Sequence, residues 1–423
     1  MEITDETVRA GLAEFDQSLV DYRADPAVVR RVSQYIQEWP INSGRMLARS
    51  ARYYPVFEAQ LAAAGMPLAL KHLSIVESGL RPWATSWVGA GGLWQLMPGT
   101  ARELGLSVDE ELDERLDPAL GCAAGLEYLR RQYARYGNWA SALAAYNCGP
   151  GNVNRAVRRT GSKNYWRYRR RLPRETRNYL PSFIAASYVM AYHHRHGLPA
   201  SPMELDLQLT ETLVVHRRLS FHRIARVTQL RPARIAELNP QYLRGYLPGR
   251  PGGHLLTLPA RTLPALRDYL SRHPAEHPEE DADLPWASPL LRDSDTDPDR
   301  HYDHFVTAPQ AGDSTIRQVA ERHGVPLDRM LVWSNRGELD SLATDDRLSF
   351  YAVRDYLPYD RTRRPAPDPL PRIPGATTAR PGHPGLTRRS KLPPPPGTFS
   401  LAPAAPPPRP RSFLGRLLPR GKN

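Results

Sequence analysis

The chain has almost no cysteine, no long apolar run and, ahead of position 361, almost no net charge. Cys122 and Cys148 are its two cysteines. They are too few for a disulfide-rich scaffold or a four-cysteine zinc site, and leave either one bridge in an oxidising compartment or two buried thiols. No apolar stretch approaches the roughly 18 residues of a membrane-spanning helix. The start, Met1-Glu2-Ile3-Thr4-Asp5-Glu6, lacks the basic flank and apolar core of a secretion signal. A soluble chain without a visible address is expected. The formal charge is +13, but residues 361–423 hold 13 Lys or Arg against the single acid Asp368, whereas positions 1–360 hold 44 basic and 43 acidic residues. A nucleic-acid-reading domain carries its positive excess on its own surface, because phosphate neutralisation supplies most of the affinity. No nucleic-acid partner is expected.

Proline, by contrast, is abundant: 43 in all, 17 of them in 361–423, with runs at 393–396 and 406–408. That composition predicts a disordered, Pro/Arg-rich tail that buries no core. At about 150 residues per domain, the 423 residues suggest two to four units. Up to about residue 200 the apolar residues recur at threes and fours, as in helices, clearly so at 123–136, 141–146 and 179–192. This stretch divides into an N-terminal helical region, 1–59, and a mainly α domain, 60–200, with the prolines of 199–202 read as a linker. Region 207–258 changes character to strand, helix, helix, strand, beginning with Leu213-Val214-Val215 and ending with Leu255-Leu256-Thr257-Leu258. Region 303–353 repeats that order: a shift of 95 positions aligns Ile224-Ala225 with Val319-Ala320, Ile235 with Met330 and Leu238 with Trp333. Two copies of one small βααβ unit explain this. Between them, 271–299 is rich in Pro, Asp and Glu and reads as a linker. The expected fold class is an α+β multidomain chain.

The chemistry concentrates between Met66 and Thr100. Leu70, Leu73 and Glu77 fall at i, i+3 and i+7, so a carboxylate shares the buried face of a helix that Gly79 ends. Burial disfavours an ionised acid, and so does the negative end of the helix dipole. Glu77 is therefore either a carboxylic acid kept protonated near neutral pH or a helix-end glutamate that curls into solvent. The glycine-rich stretch Gly89-Ala90-Gly91-Gly92 lacks the Gly-Lys-Ser/Thr ending of a phosphate loop. Its small residues admit close approach of a ligand, with Trp94, Gln95 and Met97 alongside as candidates to line a sugar groove; a plain turn closed by aromatic packing is the alternative. Near the Gly149-Pro150-Gly151 turn, Tyr146 and Asn147 either hold a substrate beside the acid or serve as a core tyrosine and a capping asparagine.

Four blocks in order resemble the lytic transglycosylases of the bacterial cell wall, the family related to goose-type lysozyme, in its membrane-bound D branch. They are Glu77-Ser78-Gly79, the run from Gly92-Leu93-Trp94-Gln95 to Thr100, Ala145-Tyr146-Asn147-Cys148-Gly149-Pro150-Gly151, and the run from Leu172 to Tyr179. The resemblance covers roughly residues 60–195 and implies a lysozyme-like fold. It implies Glu77 as catalytic acid and base, a glycan cleft lined by Ser78, Gln95, Met97, Tyr146 and Asn147, and Glu175 bracing the site. No metal or other cofactor is implied. The βααβ units look like LysM modules. The implied partner is peptidoglycan, the implied location the periplasm or cell envelope, and a monomer is expected. The tail's charge then suits weak attraction to anionic wall polymer or a membrane surface, or the tail is a solvated spacer. Gly91 stands where the family usually has a larger residue, which implies a looser loop, and Cys148 stands where alanine is commoner. The first three blocks contain no second acid besides Glu77. The resemblance accordingly implies that one glutamate cleaves the N-acetylmuramic acid–N-acetylglucosamine bond and closes a 1,6-anhydro ring. A water-using muramidase and a non-catalytic wall-binding protein are the alternatives.

Overall fold

The computed structural model describes residues 3–273, 301–354 and 356, together with the backbone of 377–378. The expected linker beyond 273 and, apart from that two-residue backbone, the expected tail at 361–423 lie outside the described residues. The first 200 residues form a helical body: α1 (Asp5–Ala13), α2 (Pro26–Ser33), a π-helical turn (Gln34–Glu38), α3 (Pro40–Ala63), a 3-10 turn (Leu68–His72) running into α4 (Leu73–Ser78), α5 (Pro98–Glu103), α6 (Pro118–Tyr136), α7 (Trp139–Cys148), α8 (Pro150–Thr160), α9 (Tyr165–Tyr168) and α10 (Tyr179–Tyr192). Sequence chemistry sets the ends. Asp25, Asp117 and Asn138 accept backbone N–H groups at the starts of α2, α6 and α7, while Gly79, Gly137 and Gly161 take left-handed conformations just past α4, α6 and α8. These caps carry α6 and α7 further toward the N-terminus than apolar spacing alone predicts.

Helix α10 is apolar around its circumference and every residue except Met190 is buried. It is the axis of the body, packed by α1, α2, α4 and α7. Truncating one of its large side chains, such as Phe183 at 0% exposure, to alanine would cost about 3–5 kcal/mol.

A one-turn helix, α11 (Leu205–Gln208), leads into two βααβ units. In the first, β1 (Thr210–Val215) pairs antiparallel with β4 (His254–Pro259), with Leu213 opposite Leu256. Helices α12 (Phe221–Thr228) and α13 (Pro232–Leu238) lie between them in sequence. A two-residue pair, β2 (Leu219–Ser220) with β3 (Tyr246–Leu247), and a closing helix α14 (Leu263–Arg272) go beyond the expected pattern. In the second unit, β5 (Tyr302–Thr307) pairs antiparallel with β6 (Leu348–Val353), placing Phe305 opposite Phe350, around α15 (Ile316–His323) and α16 (Leu327–Ser334). Each unit has a small core of its own, centred on Phe221, Ile224, Ile235 and Leu256 in the first and on Val319, Met330 and Phe350 in the second.

Neither unit hangs free. Leu112 of the helical body belongs to the first unit's core, and Gln241 donates to Asp117 at 3.0 Å. The second unit is held by Lys71, a lysine whose side chain is 2% exposed, lying 2.5 Å from Glu58, 3.1 Å from Asp328 and 3.7 Å from Glu338. Burial opposes the Lys71 charge, but these three carboxylates outweigh it and raise the ammonium pKa. Three acids around one cation leave Asp328 short of compensation: burial, then Glu58 and Glu338, push its carboxyl up against the pull of Lys71. Asp340 pairs with His194 at 2.9 Å, and a Cβ at Gly337 would stand 1.8 Å from the Ala191 carbonyl oxygen. Residues 199–202, read as a linker, lie against α3 instead, Ser201 N–H donating to Gly44 O at 2.9 Å.

Candidate active site

Glu77 lies in the last turn of α4, and the chain turns away through two left-handed residues, Gly79 and Leu80. The residue is half-buried, and the Tyr179 hydroxyl, from the first residue of α10, donates to its Oε1. Burial pushes the Glu77 carboxyl up to about 8; the nearby Glu175 adds to the rise, and the Tyr179 hydrogen bond holds it back. The helix dipole is not needed for this. Arg81 donates to Ser78 O at 3.0 Å and Arg49 to Gly79 O at 2.9 Å, so two guanidiniums cover the negative end of α4. Desolvation, one of the two causes expected from the sequence, carries the shift.

The loop after α4 is built from committed hydrogen bonds. The buried Ser78 hydroxyl lies 3.0 Å from Ser74 O and 3.1 Å from Leu93 O. Gln95, at φ +47°, spends both Nε2 hydrogens on the carbonyls of Ala84 and Gly92, each at 2.9 Å. Trp94 does not line a groove: it is 0% exposed, edge-on to Phe57, with Gly125 leaving room for its ring. Met97 is exposed. The loop is tight, contrary to what Gly91 suggests. The buried Arg115 pairs bidentately with Asp113 and donates to Gly89 O at 2.6 Å and Leu96 O at 2.9 Å; a Cβ at Gly91 would fall 2.9 Å from its guanidinium carbon. Gly91 is the room that arginine occupies.

Tyr146, buried at the end of α7, donates to Trp94 O at 2.6 Å, joining α7 to the loop. Asn147 accepts from the Thr176 hydroxyl at 2.7 Å and donates to Glu175 at 3.4 Å. Six of the seven residues singled out in the sequence make the hydrogen bonds just described, and Met97 has only its exposed side chain to offer. Glu77, the Met97 side chain and the exposed Glu175 present groups that substrate can meet, whereas Ser78, Gln95 and Tyr146 have their donor hydrogens committed to main-chain carbonyls. Cys122 and Cys148 are both free thiols. Tyr179 was missed as a functional residue, although it closes the last of the four sequence blocks; its distance of 102 positions from Glu77 hides the contact.

Residues 55–169 match the family described as Transglycosylase SLT domain, and residues 209–275 match the one described as Lytic transglycosylase MltD, LysM-like domain. This chain carries an SLT domain followed by an MltD-type LysM-like domain. Membrane-bound lytic murein transglycosylase D of Escherichia coli K12 is 34% identical over 155 residues, 36% of this chain and 34% of that protein. Membrane-bound lytic murein transglycosylase F of Vibrio cholerae is 36% identical over 122 residues, 27% of this chain and 22% of that protein. The chain thus spans about a third of the length of the first of these and less of the second. Among solved structures, the 70 kDa soluble lytic transglycosylase of Escherichia coli aligns with a TM-score of 0.31 and 24% identity, over 38% of this chain and 29% of that one. Glu77, the glycine-rich loop, Tyr146 and Asn147 fall within the SLT match, while Glu175 and Tyr179 fall just beyond it. The LysM-like match takes in α14, so the closing helix belongs with the first βααβ unit. No helix among the described residues is long and apolar enough to cross a membrane.

Proposed function

We propose that the SLT domain is a peptidoglycan lytic transglycosylase in which Glu77 is the single acid and base. The observation that carries this reading is the Glu77 carboxyl itself. With its pKa near 8, roughly ten molecules are protonated for each one ionised at pH 7, the state a general acid needs before it meets substrate. Glu77 gives its proton to the glycosidic oxygen between N-acetylmuramic acid and N-acetylglucosamine. The substrate's acetamide and the negative charge of Glu175 favour the cation that develops at the sugar. Tyr179 donates to the Glu77 carboxylate left behind, steadying it until it takes the proton of the muramic C6 hydroxyl. That hydroxyl closes the 1,6-anhydro ring, so no water is consumed. Thr176 and Asn147 orient Glu175, and Arg115, Gln95 and Tyr146 hold the loop that walls the site; Met97 meets the glycan.

A hydrolytic muramidase is the second reading, favoured by the presence of Glu175 as a second carboxylate near Glu77. Mass spectrometry of digested peptidoglycan separates the two, because the anhydro product is lighter by one water. Products carrying that extra water would overturn the transglycosylase reading. The names of the relatives support a place in the cell envelope, with glycan strands as the partner. The LysM-like units raise the local concentration of insoluble wall if they grip it, which equal binding of sacculi with and without them would refute.

A further inference from the structure

One stretch of the helical body is strongly basic. From Pro150 to Asn178 the chain holds ten Lys or Arg against a single acid, Glu175, so the near-neutral total of positions 1–360 conceals an acidic remainder. The stretch comprises α8, α9 and two 3-10 turns, Arg169–Arg171 and Thr176–Asn178, and these elements pack on one another. Their apolar residues face inward, among them Val153 and Ala156 from α8 and Tyr165 and Tyr168 from α9. The cations face out. Arg169 is the exception: it pairs with Asp25 at 2.8 Å and lies over the Trp166 ring. The other nine are exposed, and among the described residues none of them has a carboxylate within 4 Å. A solvated face mixes both signs, whereas this one sets Arg155, Arg158 and Arg159 side by side at i, i+3 and i+4, an arrangement that destabilises a helix. The negative end of α8 compensates Arg158 and Arg159, which lie in its last turn, but not Arg155 or the cations further on. Eight of the nine are arginine, whose planar fork matches phosphate oxygens two at a time.

We propose that this surface docks on an anionic phospholipid bilayer at headgroup level. Two observations favour lipid over nucleic acid. The patch spreads over four packed elements and does not run along one, which suits a sheet of phosphates better than a strand. None of its large apolar side chains is exposed, so no ring is offered for bases to stack on and nothing enters the acyl layer. The attraction is electrostatic, about fivefold in affinity for each cation near the surface. It belongs to the folded body, apart from the charge of 361–423. Glu175, which reaches Asn147 in the site, lies within the stretch, and Tyr179, which meets Glu77, follows it directly; docking therefore holds the site beside the membrane. The docking does not depend on the cleavage reading.

The test is co-sedimentation of the full chain with phosphatidylcholine vesicles, prepared with and without phosphatidylglycerol. Binding should require the anionic lipid and vanish at about 1 M salt, where the screening length is roughly 3 Å. With the tail intact, Arg155→Gln/Arg158→Gln/Arg159→Gln should weaken binding by about a hundredfold, and its melting temperature should be unchanged or higher because it removes repulsion along α8. Arg155→Lys/Arg158→Lys/Arg159→Lys keeps the charge and should keep the binding. Turnover of short soluble glycan should be the same in all three proteins. Equal binding to vesicles without phosphatidylglycerol, a glutamine variant that binds as wild type does, a lysine variant that loses binding as the glutamine one does, or a preference for duplex DNA over the vesicles at matched salt overturns the proposal. Vesicle binding by a chain that cleaves no glycan would leave this surface standing and sink the cleavage reading.

Discussion

Glu77 is useful for the same reason that it is costly. A carboxyl whose folded pKa is about 8, against an ordinary value of 4.5, contributes stability that is complete below the lower value and is lost as pH rises through the higher one. Glu77→Gln, which keeps shape but has no proton to give, is therefore expected to abolish cleavage and to stabilise the fold at pH 8 by about 1–3 kcal/mol, discounted because the residue is only half-buried. Denaturant unfolding at pH 8 and pH 4.5 checks this: the gap should close at the lower pH, and turnover above a few per cent of wild type would end the assignment. The Tyr179 hydrogen bond lowers the Glu77 pKa, so Tyr179→Phe should move the alkaline limb of the pH–rate profile upward; movement downward would show that the tyrosine does not stabilise the carboxylate. Glu175→Gln should lower the rate less than Glu77→Gln, since in the proposed mechanism its carboxyl orients and polarises without transferring the proton. The sequence made Glu77 legible because an acid on an apolar stripe is anomalous. It could not reveal that Ser78 and Tyr146 serve the framework, since a hydroxyl committed to a carbonyl and one offered to a sugar are the same letters.

The loop between α4 and α5 works as an element because its glycines admit backbone that side chains would block. Gly92, at φ +82°, would place a Cβ 1.9 Å from the Arg115 carbonyl oxygen. Gly92→Ala combines left-handed strain with that collision and should cost about 2–4 kcal/mol and most of the activity, read from unfolding curves and turnover of soluble glycan. Gly99→Ala, with nothing within 4 Å of its Cβ, serves as the tolerated control. The helices were readable from their periodicity and the βααβ order from two offset patterns of apolar residues. The two-residue strands β2 and β3 were not, because pairs that short have no period.

At the scale of the molecule, the two βααβ units are built into the body. Asp328→Asn should destabilise the whole chain by about 1–3 kcal/mol, less than a fully broken buried pair because Glu58 and Glu338 still face Lys71. A fragment ending near residue 200, cut where the sequence suggested a linker, would strip Lys71 of two of its three acids and bare the face of α3 that α16 covers. It should unfold at a lower denaturant concentration than the full chain, and an unchanged midpoint would show the docking to be incidental. Nothing in the sequence announced this, for Lys71 and Asp328 are 257 positions apart and each looks like an ordinary surface charge. The same docking bears on engineering. Small βααβ units invite transplantation between proteins, yet at Gly337 the second unit meets the Ala191 carbonyl with no space for even a methyl group. A donor module brought in to change wall affinity must have glycine at that position and an acid matching Asp328, or the graft will push on α10, the helix whose first residue, Tyr179, meets Glu77.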